Sequence, residues 1–253
     1  MKKRVALTLA VLLLLLLASC GKKTPADTDD TQTSEPPATS DTSVTTASST
    51  ETSATSPDPT PEYDTVLRTL KSGALDCAYD VLTVGDAETD ASLYRLADEM
   101  LSVYLPNASS LEKEGGSATY TAKLADVYFG ETLICAAFRG EYAILTEDGG
   151  ESRGEVYYTV NIDRESGKLL SVSDIVSDFD KLKAALTGGK FTGGTPSADL
   201  LAQYRPEYDI YPYVRFDEDN FYVNVTETGV TETNTEYSIP RADAADFLAA
   251  RYR

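Results

Sequence analysis

The chain contains no histidine. That absence removes Ser-His-Asp and Cys-His nucleophile systems, HExxH zinc sites and His-based metal triads together, since each needs an imidazole to move a proton or hold a cation near neutral pH. Acid–base chemistry then falls to carboxylates. A glycoside hydrolase needs two, one raised in pKa as the acid and one serving as base or nucleophile, about 5–10 Å apart. Asp163 and Asp174 flank one turn, and Glu155 lies farther up the strand before it. Asp163 equally suits turn capping, and Asp174 or Asp178 helix capping, in which a short acidic side chain accepts free backbone N–H groups. Thirty-four acids follow residue 61, so some pair falls within catalytic range by chance. The reading adopted is capping: no catalytic residue and no enzyme, with a carboxylate-based glycan hydrolase, or an accessory to cell-wall-modifying enzymes, as the alternative.

The remaining motifs carry little chemistry. Asp217-Glu218-Asp219-Asn220 has the composition of a calcium loop, but an EF-hand needs Gly at its sixth position and Glu at its twelfth; here these are Tyr222 and Thr228. A tight turn between strands is expected. Gly188-Gly189-Lys190 and Gly193-Gly194 lack the GxxxxGK[ST] spacing of a phosphate loop. No metal and no cofactor is expected. Cys77 and Cys135 sit in apolar strand runs, either joined as a disulfide or, the favoured reading, as two buried thiols. Tyr204, Tyr208, Tyr211 and Tyr213 crowd a proline-interrupted stretch. Tyrosine combines apolar area with a polar tip, so these four either stack on a ligand or complete the core. If the chain has a binding face, this stretch is the candidate.

The elements that must position these residues follow from periodicity. Leu75, Cys77, Tyr79 and Val81 alternate as one face of a strand. Leu93, Leu96, Ala97, Met100, Val103 and Tyr104 recur at helical spacing, with Thr89 or Asp90 as the cap and Pro106 just past the end. Strands are predicted over 117–129, 131–145 and 154–163, separated by Gly130 and Asp148-Gly149-Gly150. Gly167 serves the turn from Asp163 to Lys168. A short helix over 178–186, a weaker one near 197–204, strands at 213–217, 220–227 and 234–239, and a closing helix from Arg241 complete the order. The sum is an α+β fold, an antiparallel β-sheet with helices packed on it.

Before this domain the composition changes. Met1-Lys2-Lys3-Arg4 is basic, and Val5 to Ala18 is an apolar run of 14 residues. A bilayer-spanning helix needs about 20, so the run suits a secretory leader. It ends in Leu17-Ala18-Ser19-Cys20, which resembles the lipobox of bacterial lipoproteins. That resemblance implies a signal peptide over 1–19, removed on maturation, and a diacylated Cys20 that anchors the protein to the membrane on its extracytoplasmic face; two acyl chains suffice for stable anchoring. Residues 20–61 are rich in Thr, Ser, Pro and Asp and contain no aromatic residue. Such a segment cannot bury enough apolar surface to offset its conformational entropy and is expected to be a disordered tether, with a typical span of about 35 Å. The domain from residue 62 to 253, expected in halves 62–130 and 131–253, holds 17 basic against 34 acidic residues, a net charge of −17. This charge argues against nucleic acid, which selects a basic footprint. It serves either solubility or the attraction of cationic partners.

One stretch carries a family resemblance: Tyr158-Thr-Val-Asn-Ile-Asp-Arg-Glu-Ser-Gly-Lys-Leu-Leu-Ser-Val-Ser-Asp-Ile-Val176. A strand ending in Asn161-x-Asp163, a Ser-Gly167-Lys168 turn and a Leu-x-Val-x-Asp174-Ile segment resemble the RsiV-type domain of unknown function. Asp217 to Asn220 before a strand, and Glu236-Tyr-Ser-Ile-Pro240 before the last helix, add to the likeness, which covers about 75–253. That domain forms the extracellular part of lysozyme-sensing anti-sigma factors and sits beside the catalytic domain of some peptidoglycan deacetylases. Only four residues precede the apolar run, and the chain ends after the shared module, so neither signalling nor deacetylation carries over. The resemblance implies a binding or sensing module at the cell envelope, whose ligand is peptidoglycan, the wall polymer, or a cationic protein such as lysozyme. An assembly lipoprotein with no small ligand is the third expectation.

Overall fold

The computed structural model describes Ala47–Ser48, residues 63–227 and residues 231–253. The expected signal peptide, Leu17, Ala18, Ser19 and Cys20 of the lipobox, and all but two residues of the expected tether lie outside the described residues. Within them the fold is α+β. In chain order come β1 (Ala47–Ser48), β2 (Asp64–Lys71), β3 (Leu75–Thr83), α1 (Ala87–Tyr104), α2 (Ala108–Leu111), β4 (Ser117–Phe129), β5 (Leu133–Leu145) and β6 (Glu151–Asp163). Then follow α3 (Val172–Ile175), α4 (Phe179–Thr187), α5 (Ala198–Leu201), β7 (Tyr213–Phe216), β8 (Asn220–Glu227) and β9 (Thr233–Pro240). Strands β1 to β6 form one sheet in sequence order, and β7, β8 and β9 form a second. The first sheet runs across residue 130, where the expected halves divide, because β4 and β5 pair antiparallel.

The long strands form where the pattern asks for them. Along β4, Ala118, Tyr120 and Ala122 are buried while Thr119, Thr121 and Lys123 are exposed. In β6, Val156, Tyr158, Val160 and Ile162 face the first core, and Tyr157 and Asn161 on the opposite face are buried as well. β6 is thus covered on both sides. One departure from an all-antiparallel sheet is the β3–β4 pair, which is parallel; α1 lies between them in sequence and supplies the crossover that parallel neighbours require. β2, whose sequence shows no apolar alternation, pairs antiparallel with β3.

α1 begins well before Leu93, the first large apolar residue of its stripe. Gly85 turns the chain with a positive φ of 78°, and the Asp86 carboxylate accepts the N–H and hydroxyl of Thr89. Asp86 is therefore the cap, and neither Thr89 nor Asp90 is. Leu93 and Ala97 are buried beneath it, but Val103 is 60% exposed. At 100° per residue Val103 lies about 80° from Leu93, the edge of the stripe. The closing helix is replaced by two 3₁₀ turns, Arg241–Ala244 and Ala250–Tyr252.

Two cores result. One lies between α1 and the first sheet, around Tyr79, Tyr120, Phe138 and Tyr158. The other joins the second sheet to α3, α4, α5 and the C-terminal turns around Phe216, Phe221, Leu182 and Phe247, with Leu133 and Cys135 supplied by β5. Cys77 belongs to the first core and Cys135 to the second, and both are free. Burial raises the Cys77 thiol to about 11 and the Cys135 thiol to about 12, so neither is a thiolate at neutral pH.

Phe138 stacks on Tyr158 with ring centroids 4.7 Å apart, and the buried hydroxyls of Tyr120 and Tyr158 have no partner. Phe138→Ala is expected to lower unfolding stability by about 3–5 kcal/mol. Tyr158→Phe removes an unpaired buried hydroxyl and is expected to leave the urea midpoint unchanged or raise it. Equilibrium denaturation of both variants checks the pair of outcomes.

Candidate functional site

Pairing between β3 and β4 ends at Tyr79↔Ala122, although β3 continues to Thr83 and β4 to Phe129. At the point of parting β4 carries a bulge between Leu124 and Asp126, and the Asp80 carboxylate accepts the Leu124 N–H at 2.9 Å. Beyond it the sheet is split. An open cleft of about 950 Å³ lies at this end of the sheet, lined by Ile134 of β5 and Ile162 of β6. One wall is the β3–α1 junction, and the other is the turn from Asp163 to Gly167; Tyr63 and Asp64 stand at the mouth. Tyr63 is held there by stacking on Phe129, centroids 5.2 Å apart.

The cleft is acidic. Asp64, Asp86, Glu88, Asp90, Asp163 and Glu165 line it, against one basic residue, Arg164, which donates to the Gly130 carbonyl. Hydrogen bonds from the Thr89 N–H and hydroxyl hold the Asp86 carboxyl below its usual range. Burial pushes Asp163 up, but hydrogen bonds from the Ser166 N–H and hydroxyl, the Arg251 charge and the Tyr252 hydroxyl outweigh it and leave the pKa low. Both therefore stay charged at neutral pH.

The turn that forms the second wall contains the sequence motif. Asp163 donates its N–H to the Lys168 carbonyl and accepts the Gly167 N–H at its own carbonyl. Its side chain receives Ser166 at 2.9 Å and Arg251 at 2.9 Å, and Arg251 also reaches Glu165. Gly167 has φ +68°, and a Cβ there would lie 2.5 Å from the Thr89 hydroxyl, whose one proton is shared between the Asp86 carboxylate at 2.7 Å and the Gly167 carbonyl at 3.0 Å. Only glycine satisfies both demands. The Asn161 amide donates to the Val214 carbonyl, tying the first sheet to the second. Lys168 and Asp174 form an exposed ion pair of 3.8 Å. Asp174 completes a capping box with Ser171, accepting its N–H and hydroxyl.

Asn161, Asp163, Gly167, Lys168 and Asp174 are thus gathered around one turn, each with a structural partner. Asp174, like Asp163, is pushed up by burial and pulled below its usual range by stronger hydrogen bonds, here from Ser171. A carboxyl held low is a poor general acid. Glu155 is occupied by the Asn234 N–H at 2.8 Å. Asp217 closes the tight turn before β8, accepting the N–H groups of Asp219 and Asn220 and the Tyr222 hydroxyl.

The four tyrosines do not share a face. Tyr204 is buried and its hydroxyl accepts the Thr226 N–H. Tyr213 packs against the first core, its hydroxyl 3.6 Å from the Met100 sulfur. Tyr211 meets Phe179 edge-on. Tyr208 alone stands out, 66% exposed, with the Arg205 guanidinium 5.0 Å from its ring centroid. The cleft residues Asp64, Asp86, Glu88 and Glu165 escaped sequence reasoning as site residues. Asp64 opens β2, Asp86 and Glu88 stand at the start of α1, and Glu165 lies in the turn after β6; no spacing rule joins three places spread over about 100 residues.

No sequence model of a known family matches the chain, and no curated protein does. Among solved structures it is similar to a DUF3298 family protein from Pseudomonas aeruginosa PAO1, at 19% identity and a TM-score of 0.48, over 77% of this chain and 97% of that one. It is also similar to a DUF3298 family member from Bacteroides fragilis NCTC 9343, at 13% identity and a TM-score of 0.43, over 75% of this chain and 94% of that one.

Because the folded pKa of Asp163 is depressed, its contribution to stability is fully present above the unfolded value, about 3.9, and is lost as pH falls through the lower folded value. Asp163→Asn is expected to be less stable than the parent at pH 7 and to show a shallower loss of stability below about pH 4. Urea melts from pH 7 to pH 2 measure both slopes.

Proposed function

We propose that this chain is a lipid-anchored protein on the extracytoplasmic face of the cell membrane, and that its domain binds a cationic partner without catalysis. The acidic cleft of about 950 Å³ carries this reading. Six acidic residues line it, of which Asp163 and Glu165 are paired with Arg251, and low-dielectric walls strengthen the field of the others at the mouth. The partner expected is a basic protein such as lysozyme; peptidoglycan, which carries its own ammonium groups, is the other envelope ligand. Two further observations support a binding role over hydrolysis. The chain has no histidine, and the Asp163 and Asp174 carboxyls are held low by turn and cap hydrogen bonds. The anchor rests on the sequence: the basic start, the 14-residue apolar run and Leu17-Ala18-Ser19-Cys20.

Binding through such a cleft is electrostatically steered and therefore falls with ionic strength. Pull-down of the chain with lysozyme and with purified peptidoglycan, at about 20 mM and about 300 mM salt, is expected to show retention at low salt that weakens at high salt. Glu88→Lys with Glu165→Lys is expected to weaken it about tenfold. Failure to retain either ligand at low ionic strength refutes the binding role. Separately, Cys20→Ala is expected to release the protein from membranes, and mass spectrometry of the parent to find a diacylated residue 20 at the mature N-terminus.

A further inference from the structure

β2 is the outer strand of the first sheet for most of its eight residues. An edge strand offers backbone N–H and C=O groups with no ladder partner, and proteins usually blunt such edges with proline, bulges or charges. β2 has no proline, and its pairing with β3 runs unbroken from Asp64↔Thr83 to Lys71↔Asp76. Arg68 is drawn away onto α1, where it meets Asp98 at 2.8 Å and lies over the rings of Tyr79 and Tyr94. The edge does take a strand. Ala47–Ser48 pairs with it antiparallel, Ala47 opposite Leu67 and Ser48 opposite Val66. This pairing fixes a direction. A chain running in the same sense passes Val66, then Thr65, then Asp64, and leaves the edge at Tyr63 and Asp64, which line the mouth of the acidic cleft.

We propose that the β2 edge and the cleft form one docking surface for an extended polypeptide segment with basic residues at its C-terminal end. The segment adds antiparallel to β2 as a further strand, and its Lys or Arg side chains enter the cleft. Backbone pairing supplies affinity with little demand on sequence, as in other strand-addition complexes; cleft charge supplies the selection for cations. Ala47–Ser48 holds the middle of the same edge and competes with the partner. The inference rests on the binding role assigned to the cleft and narrows its ligand from any cation to a polypeptide strand.

The test uses the full chain and three synthetic peptides: Thr-Val-Thr-Val-Thr-Val-Lys-Lys-Lys, the twin ending in three Glu, and the reversed peptide with its three Lys first. The first is expected to bind about tenfold tighter than either control, and to slow amide hydrogen exchange across residues 64–71. Asp64→Lys with Glu88→Lys is expected to abolish the preference for lysine while the exchange protection persists at higher peptide concentration. Ala47→Pro with Ser48→Pro is expected to tighten binding several-fold by removing the competitor. Lysine-dependent binding without protection of 64–71 would leave the cleft as a binding site and overturn the docking edge. Equal affinity for the forward and reversed peptides overturns it too. Retention of lysozyme without binding of any peptide overturns the strand proposal alone, whereas failure of both ligands removes the cleft reading with it.

Discussion

The buried carboxylate of Asp163 is the constraint on which the rest of this structure depends. It is 5% exposed at the end of β6, where a charge is costly unless it is fully hydrogen-bonded. Ser166 satisfies one oxygen and Arg251 with Tyr252 the other. These bonds do three things at once. They shape the turn that walls the cleft, they fasten the C-terminal 3₁₀ turn to the first sheet, and they bring Gly167 against Thr89 of α1. Local turn chemistry thereby fixes the separation between α1 and β6.

The same strand organises the join between the sheets. Tyr157, on the face of β6 opposite the first core, donates its hydroxyl to Glu236 of β9. Glu236 also receives Arg139 at 2.8 Å and Arg215 at 2.5 Å, and the Arg215 guanidinium sits over Tyr222, 3.8 Å from the ring centroid. Arg215 is largely buried, so this cluster adds specificity of docking more than net stability; a buried ion pair roughly breaks even against an apolar replacement. Its geometric effect is larger than its energetic one. With the second sheet docked through the 157, 161 and 236 positions, the cleft on the far side of β6 is left open.

Much of this was legible in the sequence, because half-buried strands and amphipathic helices write their faces as periods. β4 through β9 lie within a few residues of where alternation places them, and Gly167, Gly188 and Gly189 mark real turns. β2 was illegible for a physical reason. Its residues are partly buried on both faces, and Asp-Thr-Val-Leu-Arg-Thr-Leu-Lys has no alternation to read. The early start of α1 was hidden because its first apolar contact comes two turns after its cap. The tyrosine stretch shows the opposite failure. Composition suggested one aromatic face, but an irregular stretch has no period, so Tyr204 and Tyr213 could turn inward while Tyr208 turned out. Capping of Asp174 and Asp178 was readable; the convergence of acids on one cleft was not.

That convergence has a local origin. Asp86 caps α1, Asp90 accepts the Val84 N–H that closes the same junction, and Asp163 holds the turn opposite. Each acid is present for a backbone reason. A carboxylate satisfied by neutral donors, as at Asp86, keeps its charge, and the partial positive charge at the α1 N-terminus, about half an elementary unit, offsets only a fraction of it; at Asp163 the Arg251 guanidinium offsets more. Once three such segments meet where the sheet splits, their charges add, and the exposed Glu88 and Glu165 need only extend a potential that capping has already made. The acidity of the cleft is therefore rooted in the same bonds that hold its walls. Removing its inner charges would loosen the wall, whereas reversing the outer ones changes the field and leaves the frame standing.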